Sequence, residues 1–321
     1  MPPAKLQEKD VSDEYPELVH YTSASGLTGI LNSQAIWATH ASFLNDTEEI
    51  KLFFNRRLSR IIEDEFRKTG RSNDEELIQG AAAQFTESIR KVTLAFNQPY
   101  VFSMCAPKDA WTSRNGLLSQ WRGYGKDGAY AIIFDSKMLK ELIDQEVAAF
   151  HYQHMQWGDV HYYDESLGTD RHEVAPEILT AETELRAGIS AFKHNPTSDV
   201  MESTYTAITS LSCFHKHRGF EEEKEIRIIA IPAHQSIKNI NASESRPAKD
   251  SKTFIRDGCP VPYIELFSNL SGITTKGRLP IKRIIVGPHR NKLQRKEAVE
   301  IILDGLGIEA EVDVSETPYI G

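Results

Sequence analysis

A chain of 321 residues, 40% apolar and 26% charged, holds enough material for one large globular domain or two average ones, with a real core. A formal net charge of -9 argues against a global nucleic-acid or anionic-membrane surface and leaves room only for a local basic groove. Three scattered cysteines (Cys105, Cys213, Cys259) exclude a disulfide framework, no apolar run approaches the ~20 residues that span a bilayer, and a reducing, cytoplasmic setting with no membrane partner is expected.

Residues 1–14 are polar, carry two prolines and read as a flexible lead-in. Everything from residue 15 to 321 reads as a single α+β domain. Glu17–Tyr21 is a short strand, followed by a helix with Ser25 as its expected N-cap and Leu27, Ile30 and Leu31 on one face. A second strand is expected at Ala35–Thr39. Asp46 and Glu49 have capping-box spacing and open a long amphipathic helix ending near Phe66. A second helix over Glu75–Phe96 completes a helical hairpin inserted at about 47–96, with turn chemistry between Lys68 and Asp74.

Strands follow at Tyr100–Cys105 and Ala129–Phe134, with the polar, Gly-rich stretch 106–128 as a loop between them. Helices are expected at Lys137–Glu146, Glu177–Phe192 and Ser198–Phe214. Strands return at Glu225–Ile231, Val261–Phe267 and Lys282–Val286, and residues 235–258 read as a mobile loop. A helix over Lys292–Leu306 and a strand over Ile308–Val314 close the chain. Strands separated by helices early and clustered late argue for α+β rather than regular βαβ winding.

Familiar motifs fail on context. Gly123, Gly125 and Gly128 match G-x-G-x-x-G, but they precede a strand instead of following one, so they read as a glycine turn. His151, His154 and His161, or Cys213 with His215 and His217, lack a recognised metal-ligand spacing, and no metal is expected.

Four blocks combine residue types that are costly to bury. His20-Tyr21-Thr22-Ser23 leaves the first strand just before a helix, where imidazole, hydroxyls and backbone N–H groups suit a ribose or phosphate; the plainer reading is a capped helix with a buried histidine. Ser103 lies on the strand Val101–Cys105, where a lone serine is usually structural. Trp121, Arg122 and Tyr124 bring a planar cation and two rings together, fit either to stack a base and bind a phosphate or to plug a loop. Alternation along Phe220–Ile229 places Glu223, Glu225 and Arg227 on one face. That face is either an edge strand with an ion pair or a catalytic carboxylate oriented by Arg227.

The order HYTS, GIL, IWATHASFLND, VFSMC, LSQWRGYG, GAYAIIFD, HKHRGFEEEKEIRII and IIVGP over about residues 17–315 resembles an uncharacterised, largely bacterial family, domain of unknown function 2971. More distantly, a strand ending in His followed by a Gly-Ile-Leu helix and a further strand is similar to the start of ADP-ribosyltransferase folds. That family includes the poly-ADP-ribose polymerases, DarT-like toxins and RNA 2′-phosphotransferases. The resemblance implies a mixed, partly split β-sheet core with helical insertions and NAD as substrate. His20 then takes the ribose role, Glu225 the catalytic role and Glu223 that of a second carboxylate. Tyr21, Trp121 and Tyr124 compete to stack on nicotinamide, with Thr22 and Ser103 beside them, and Arg122 or Arg227 faces the pyrophosphate. The expected activity is ADP-ribosyl transfer to nucleic acid or protein, as in a toxin or defence effector. The alternative is a non-catalytic nucleotide- or RNA-end-binding module.

Overall fold

A computed structural model describes residues 10–44, 58–68, 75–96, 98–124, 128–163, 176–194, 204, 207–209, 211–233, 246–270 and 278–318. The lead-in is not wholly loose: Val11–Glu14 forms a short helix (α1), capped by Asp10 and anchored by buried Val11. The remaining helices are α2 (Ala24–Ser33), α3 (Ser59–Lys68), α4 (Glu75–Phe96), α5 (Ala110–Asn115), α6 (Leu118–Tyr124), α7 (Ser136–Ala149), α8 (Pro176–His194) and α9 (Lys292–Leu306). The strands are β1 (Glu17–Thr22), β2 (Ile36–His40), β3 (Tyr100–Cys105), β4 (Tyr130–Asp135), β5 (Tyr152–Asp159), β6 (His161–Tyr163), β7 (His215–His217), β8 (Glu225–Pro232), β9 (Lys252–Arg256), β10 (Cys259–Leu266), β11 (Ile281–Val286) and β12 (Glu311–Val314).

Among the described residues, ten strands form one mixed sheet in the order β12-β11-β4-β1-β3-β2-β10-β9, with β8 on β3 and β5 on β8. The β11–β12 pair is parallel and the other pairs of this sheet are antiparallel. The α+β expectation holds at that level. β6 and β7 form a separate parallel ribbon in which Tyr162 lies opposite Lys216.

β3 organises the sheet. One of its edges is taken along its whole length by β8, from Tyr100↔Ala230 to Cys105↔Glu225. The other is divided between β1, which meets it at Val19↔Cys105, and β2, which meets it at Thr39↔Val101 and His40↔Tyr100. Neither register reaches Ser103, so the strands part there.

Period-2 alternation sorts the side chains onto two faces. Leu18, Phe102, Met104, Ile132, Phe134, Ile226 and Ile228 join the main core with Leu27 and Leu31 of α2, Leu139 of α7 and Leu303 of α9. Val19, Tyr21, Cys105, Ala131 and Ile133 face the other way, under Trp121 of α6. A separate helical core gathers Ile61 and Ile62 of α3, Ala82 and Ile89 of α4, Leu185 and Ile189 of α8, and Leu211. The expected hairpin is therefore part of a larger helical lobe. Its Asp46–Glu49 cap and its Lys68–Asp74 link fall, apart from Lys68 itself, outside the described residues.

Several expectations change in detail. Ser23, not Ser25, caps α2: its hydroxyl accepts from the Gly26 N–H at 3.2 Å, while Ser25 already lies in the helix. The Gly-rich 106–128 stretch holds α5 and α6, because Asp109 and Thr112 build a complete capping box at the start of α5. The expected 235–258 loop contains β9, paired along β10. The helix expected to reach Phe214 gives way to β7 at His215.

Candidate functional site

On β8 the residues Glu225–Ile231 are all buried, because β3 and β5 cover both edges of the strand. An edge-strand setting for the Glu–Arg pair is thereby ruled out. Glu223 is not on the strand. It ends the 3-10 turn Arg218–Glu223, and Lys224, in the left-handed region at φ 41°, swings the chain into β8.

Four charged side chains nevertheless meet. Arg227 grips Glu225 with two teeth, Nε donating to Oε1 at 2.7 Å and Nη2 to Oε2 at 3.0 Å. Lys216 of β7 donates to Glu225 Oε2 at 3.0 Å and to Glu223 Oε2 at 2.8 Å. The third guanidinium contact of Arg227 goes to the Cys213 carbonyl. Lys216, Glu225 and Arg227 are almost wholly enclosed, and Glu223 keeps 13% of its side chain open. Among the described residues the cluster holds two positive and two negative groups, and paired charges of this kind are tolerated when buried.

The electrostatics follow. Burial opposes ionisation of Glu225, but the Arg227 guanidinium and then Lys216 outweigh it and hold the carboxyl at about 2. The nearby Ser103 side chain, on the neighbouring strand, acts in the same direction. Opposite Glu225 on β3, Cys105 has its thiol pushed up by burial and then by the two carboxylates. The Tyr162 hydroxyl accepts from the Glu225 backbone N–H at 2.8 Å, which ties the β6–β7 ribbon to the start of β8.

His20 occupies the parting between β1 and β3. Its Nδ1 donates to the Ser103 carbonyl at 2.8 Å, and its ring stacks on Phe102 with centroids 4.2 Å apart. Packing around the ring pulls its pKa down to about 4, because burial outweighs the Ser103 bond. The imidazole is therefore neutral at pH 7, with the proton on Nδ1 and an acceptor lone pair on Nε2. Leu18 and Phe102 place His20 on the main-core side of the sheet, whereas Glu225 lies on the side of Cys105. The two expected partners thus flank Ser103 from opposite faces and do not line one shared wall.

The aromatic candidates separate. Tyr21 is buried edge-on to Trp121, centroids 5.0 Å apart, and its hydroxyl accepts from the Leu117 N–H. Trp121 is buried with Nε1 donating to the Asn115 carbonyl at 2.8 Å. Both rings are thus packed in the core of the second face. Tyr124 and Arg122 are exposed on α6. Thr22 is buried, its hydroxyl oxygen 2.1 Å from where a Cβ on Gly26 would stand, so it fills the first turn of α2 instead of facing outward.

The residue that sequence reasoning missed is Lys216. It sits between two histidines just past the helix expected to end at Phe214, and the lateral pairing of β7 with β6 brings it to the carboxylates. The trace it left was the alternation of His215, Lys216 and His217, two imidazoles either side of one ammonium.

The chain thus presents a mixed-sheet α+β protein with a neutralised buried charge cluster beside a parted strand. The family described as "Protein of unknown function (DUF2971)" matches residues 120–228, a stretch from α6 to β8 that contains Lys216, Glu223, Glu225 and Arg227. No curated protein and no solved structure matches the chain. Among the described residues, no helix is long and apolar enough to cross a membrane.

Proposed function

We propose that the protein is an ADP-ribosyltransferase-like enzyme that uses NAD to modify a nucleic acid or a protein. The observation that carries this reading is the position of Ser103, whose carbonyl accepts from His20 and which lies opposite Arg227, the partner of Glu225, in the strand register. His20, Ser103 and Glu225, expected on three strands, are thus linked through β3, and β1 and β2 divide one edge of that strand, in keeping with a partly split core.

In such a reaction the bond between ribose C1′ and nicotinamide breaks and nicotinamide leaves with the electron pair. The acceptor then bonds to C1′ and releases its proton to solvent. Positive charge develops on the ribose during this exchange, and a carboxylate kept ionised stabilises it. Glu225 meets that requirement at any pH well above 2. His20, on the opposite face of the sheet from Glu225, acts in this scheme through its bond to Ser103 and not by touching the same ribose.

Incubation with labelled NAD, cell extract and nucleic acid tests the reading. Label is expected on a macromolecule and to be lost with Glu225→Gln; absence of any NAD binding or turnover by the wild type sinks it. One observation favours a second reading, a non-catalytic nucleotide- or RNA-end-binding module. Both Glu225 oxygens are already engaged by Arg227 and Lys216, as in a structural carboxylate. That reading expects ligand-dependent thermal stabilisation with no covalent product.

A further inference from the structure

We infer that Lys216 is a positioning residue whose ammonium clamps Glu223 to Glu225 and so fixes the carboxylate on which the proposed glycosyl transfer depends. The inference rests on that reading for its catalytic meaning, but the clamp itself can be tested without activity.

Arg227 alone satisfies Glu225 with a bidentate contact, so Lys216 is not needed to neutralise that one group. What Lys216 supplies is the second carboxylate's partner. Its Nζ reaches Glu223 Oε2 at 2.8 Å and Glu225 Oε2 at 3.0 Å, bridging the 3-10 turn to the strand. The same ammonium lies 4.7 Å from the centre of the ring of Phe220, within that turn. Lys216 is held in place from below, since β7 pairs with β6 and the Tyr162 hydroxyl of β6 binds the Glu225 backbone.

Among the described residues, the groups facing the pair include Arg227 from β8, Ser103 and Cys105 from β3, Tyr162 from β6 and Lys216 from β7. Cys105 and Tyr162 both have their protons held on more tightly than usual, so near neutrality neither contributes charge. Among the described residues the site sets two cations against two carboxylates. Without Lys216 the two carboxylates lose the ammonium they share, and like charges brought together in a poorly solvated setting raise the pH at which one of them takes up a proton.

The test is a pH titration of carboxyl-labelled glutamate by NMR in the wild type, Lys216→Met, Lys216→Arg and the charge-balanced double variant Lys216→Met/Glu223→Gln. In Lys216→Met the pair is expected to take up one proton at a pH higher by about one unit or more. Lys216→Arg and the double variant are expected to restore wild-type behaviour at Glu225. Coincident curves for wild type and Lys216→Met overturn the clamp. If Lys216→Met does not fold, recovery of folding in the double variant supports the clamp, and failure of both overturns it.

In the NAD assay, Lys216→Met is expected to lower kcat about tenfold with a much smaller change in KM, and to move the acid limb of the rate profile to higher pH. An unchanged kcat and pH profile removes the positioning role. A wild type inert towards NAD removes the enzymatic reading and leaves the titration to decide the clamp.

Discussion

His20 and Ser103 are joined side chain to main chain, the imidazole Nδ1 donating at 2.8 Å to a carbonyl that no neighbouring strand takes up. Where β1 and β2 separate, β3 would otherwise leave an acceptor without a partner, and an unpaired buried carbonyl costs about as much as a lost hydrogen bond. The bond also fixes the tautomer. A solution titration of the His20 ring is expected to give a midpoint near 4, far below the ordinary histidine value of 6.5.

The sign of the stability effect follows from that shift. The unfolded chain binds a proton on this histidine below pH 6.5, whereas the folded protein refuses it until about 4. Stability contributed by His20 is present above 6.5 and lost as pH falls towards 4. Thermal melts across this window should show a drop in wild type that is shallower in His20→Gln; parallel curves would contradict it.

Glu225 acts over a different range. Its folded value of about 2 lies below the ordinary 4.5, so its contribution is present above 4.5 and lost as pH falls through 2. Removing the carboxylate, as in Glu225→Ala, takes from the enclosed Arg227 and Lys216 the group they share. Breaking a buried pair in this way costs about 3–5 kcal/mol. Urea unfolding is the measurement, and a loss below 1 kcal/mol would mean that the cluster is not enclosed in solution.

Gly116 gives a steric test of the helical cap over the second face. It follows α5 at φ 73°, and a Cβ there would stand 2.3 Å from the Trp121 ring. Gly116→Ala therefore meets both backbone strain and overpacking, with an expected cost of about 1–3 kcal/mol. Trp121 fluorescence should shift with the displaced ring, and an unperturbed emission spectrum would show that the turn can give way.

A second buried ion pair makes a local prediction. Glu146 of α7 accepts from Tyr152 at 2.6 Å and from the Phe267 N–H at 2.9 Å, and pairs with Lys249 at 3.0 Å. Burial raises the Glu146 carboxyl and lowers the Lys249 ammonium, each opposed by the other. Lys249→Met should lower Tm and speed amide exchange around residues 246–252 and 267–270. Unchanged exchange there would show the pair to be dispensable.

The sequence made legible what depends on local apolar pattern. β1, β4, β8 and β11 bury continuous or alternating aliphatic runs, and their bounds follow from those runs. β5 left no such trace, since Tyr152–Asp159 is polar and half-buried throughout and owes its extended form to β8. β9 was hidden for the same reason, an outer strand with Lys252, Thr253 and Ile255 open to solvent. In the site, Glu225 and Arg227 could be read from alternation. The separation of His20 onto the other face followed the same rule, but only the register of three strands relates one residue's parity to another's. Lys216 depended on the β6–β7 pairing, which joins segments far apart in the chain.

The division of β3's edge also bears on how the chain assembles. β3 is laid down early, yet the strand that covers its whole opposite edge, β8, emerges only after α5 to α8 have been made. During synthesis an apolar strand bearing Val101, Phe102 and Met104 therefore waits with one side uncovered. Pairings of such long range form slowly and leave edges open to other chains. The acidic and basic residues that end as a neutral quartet begin as separate charges on that late segment. Delivery of β8, with its charges matched at the moment of docking, is the step at which this fold is most exposed to aggregation.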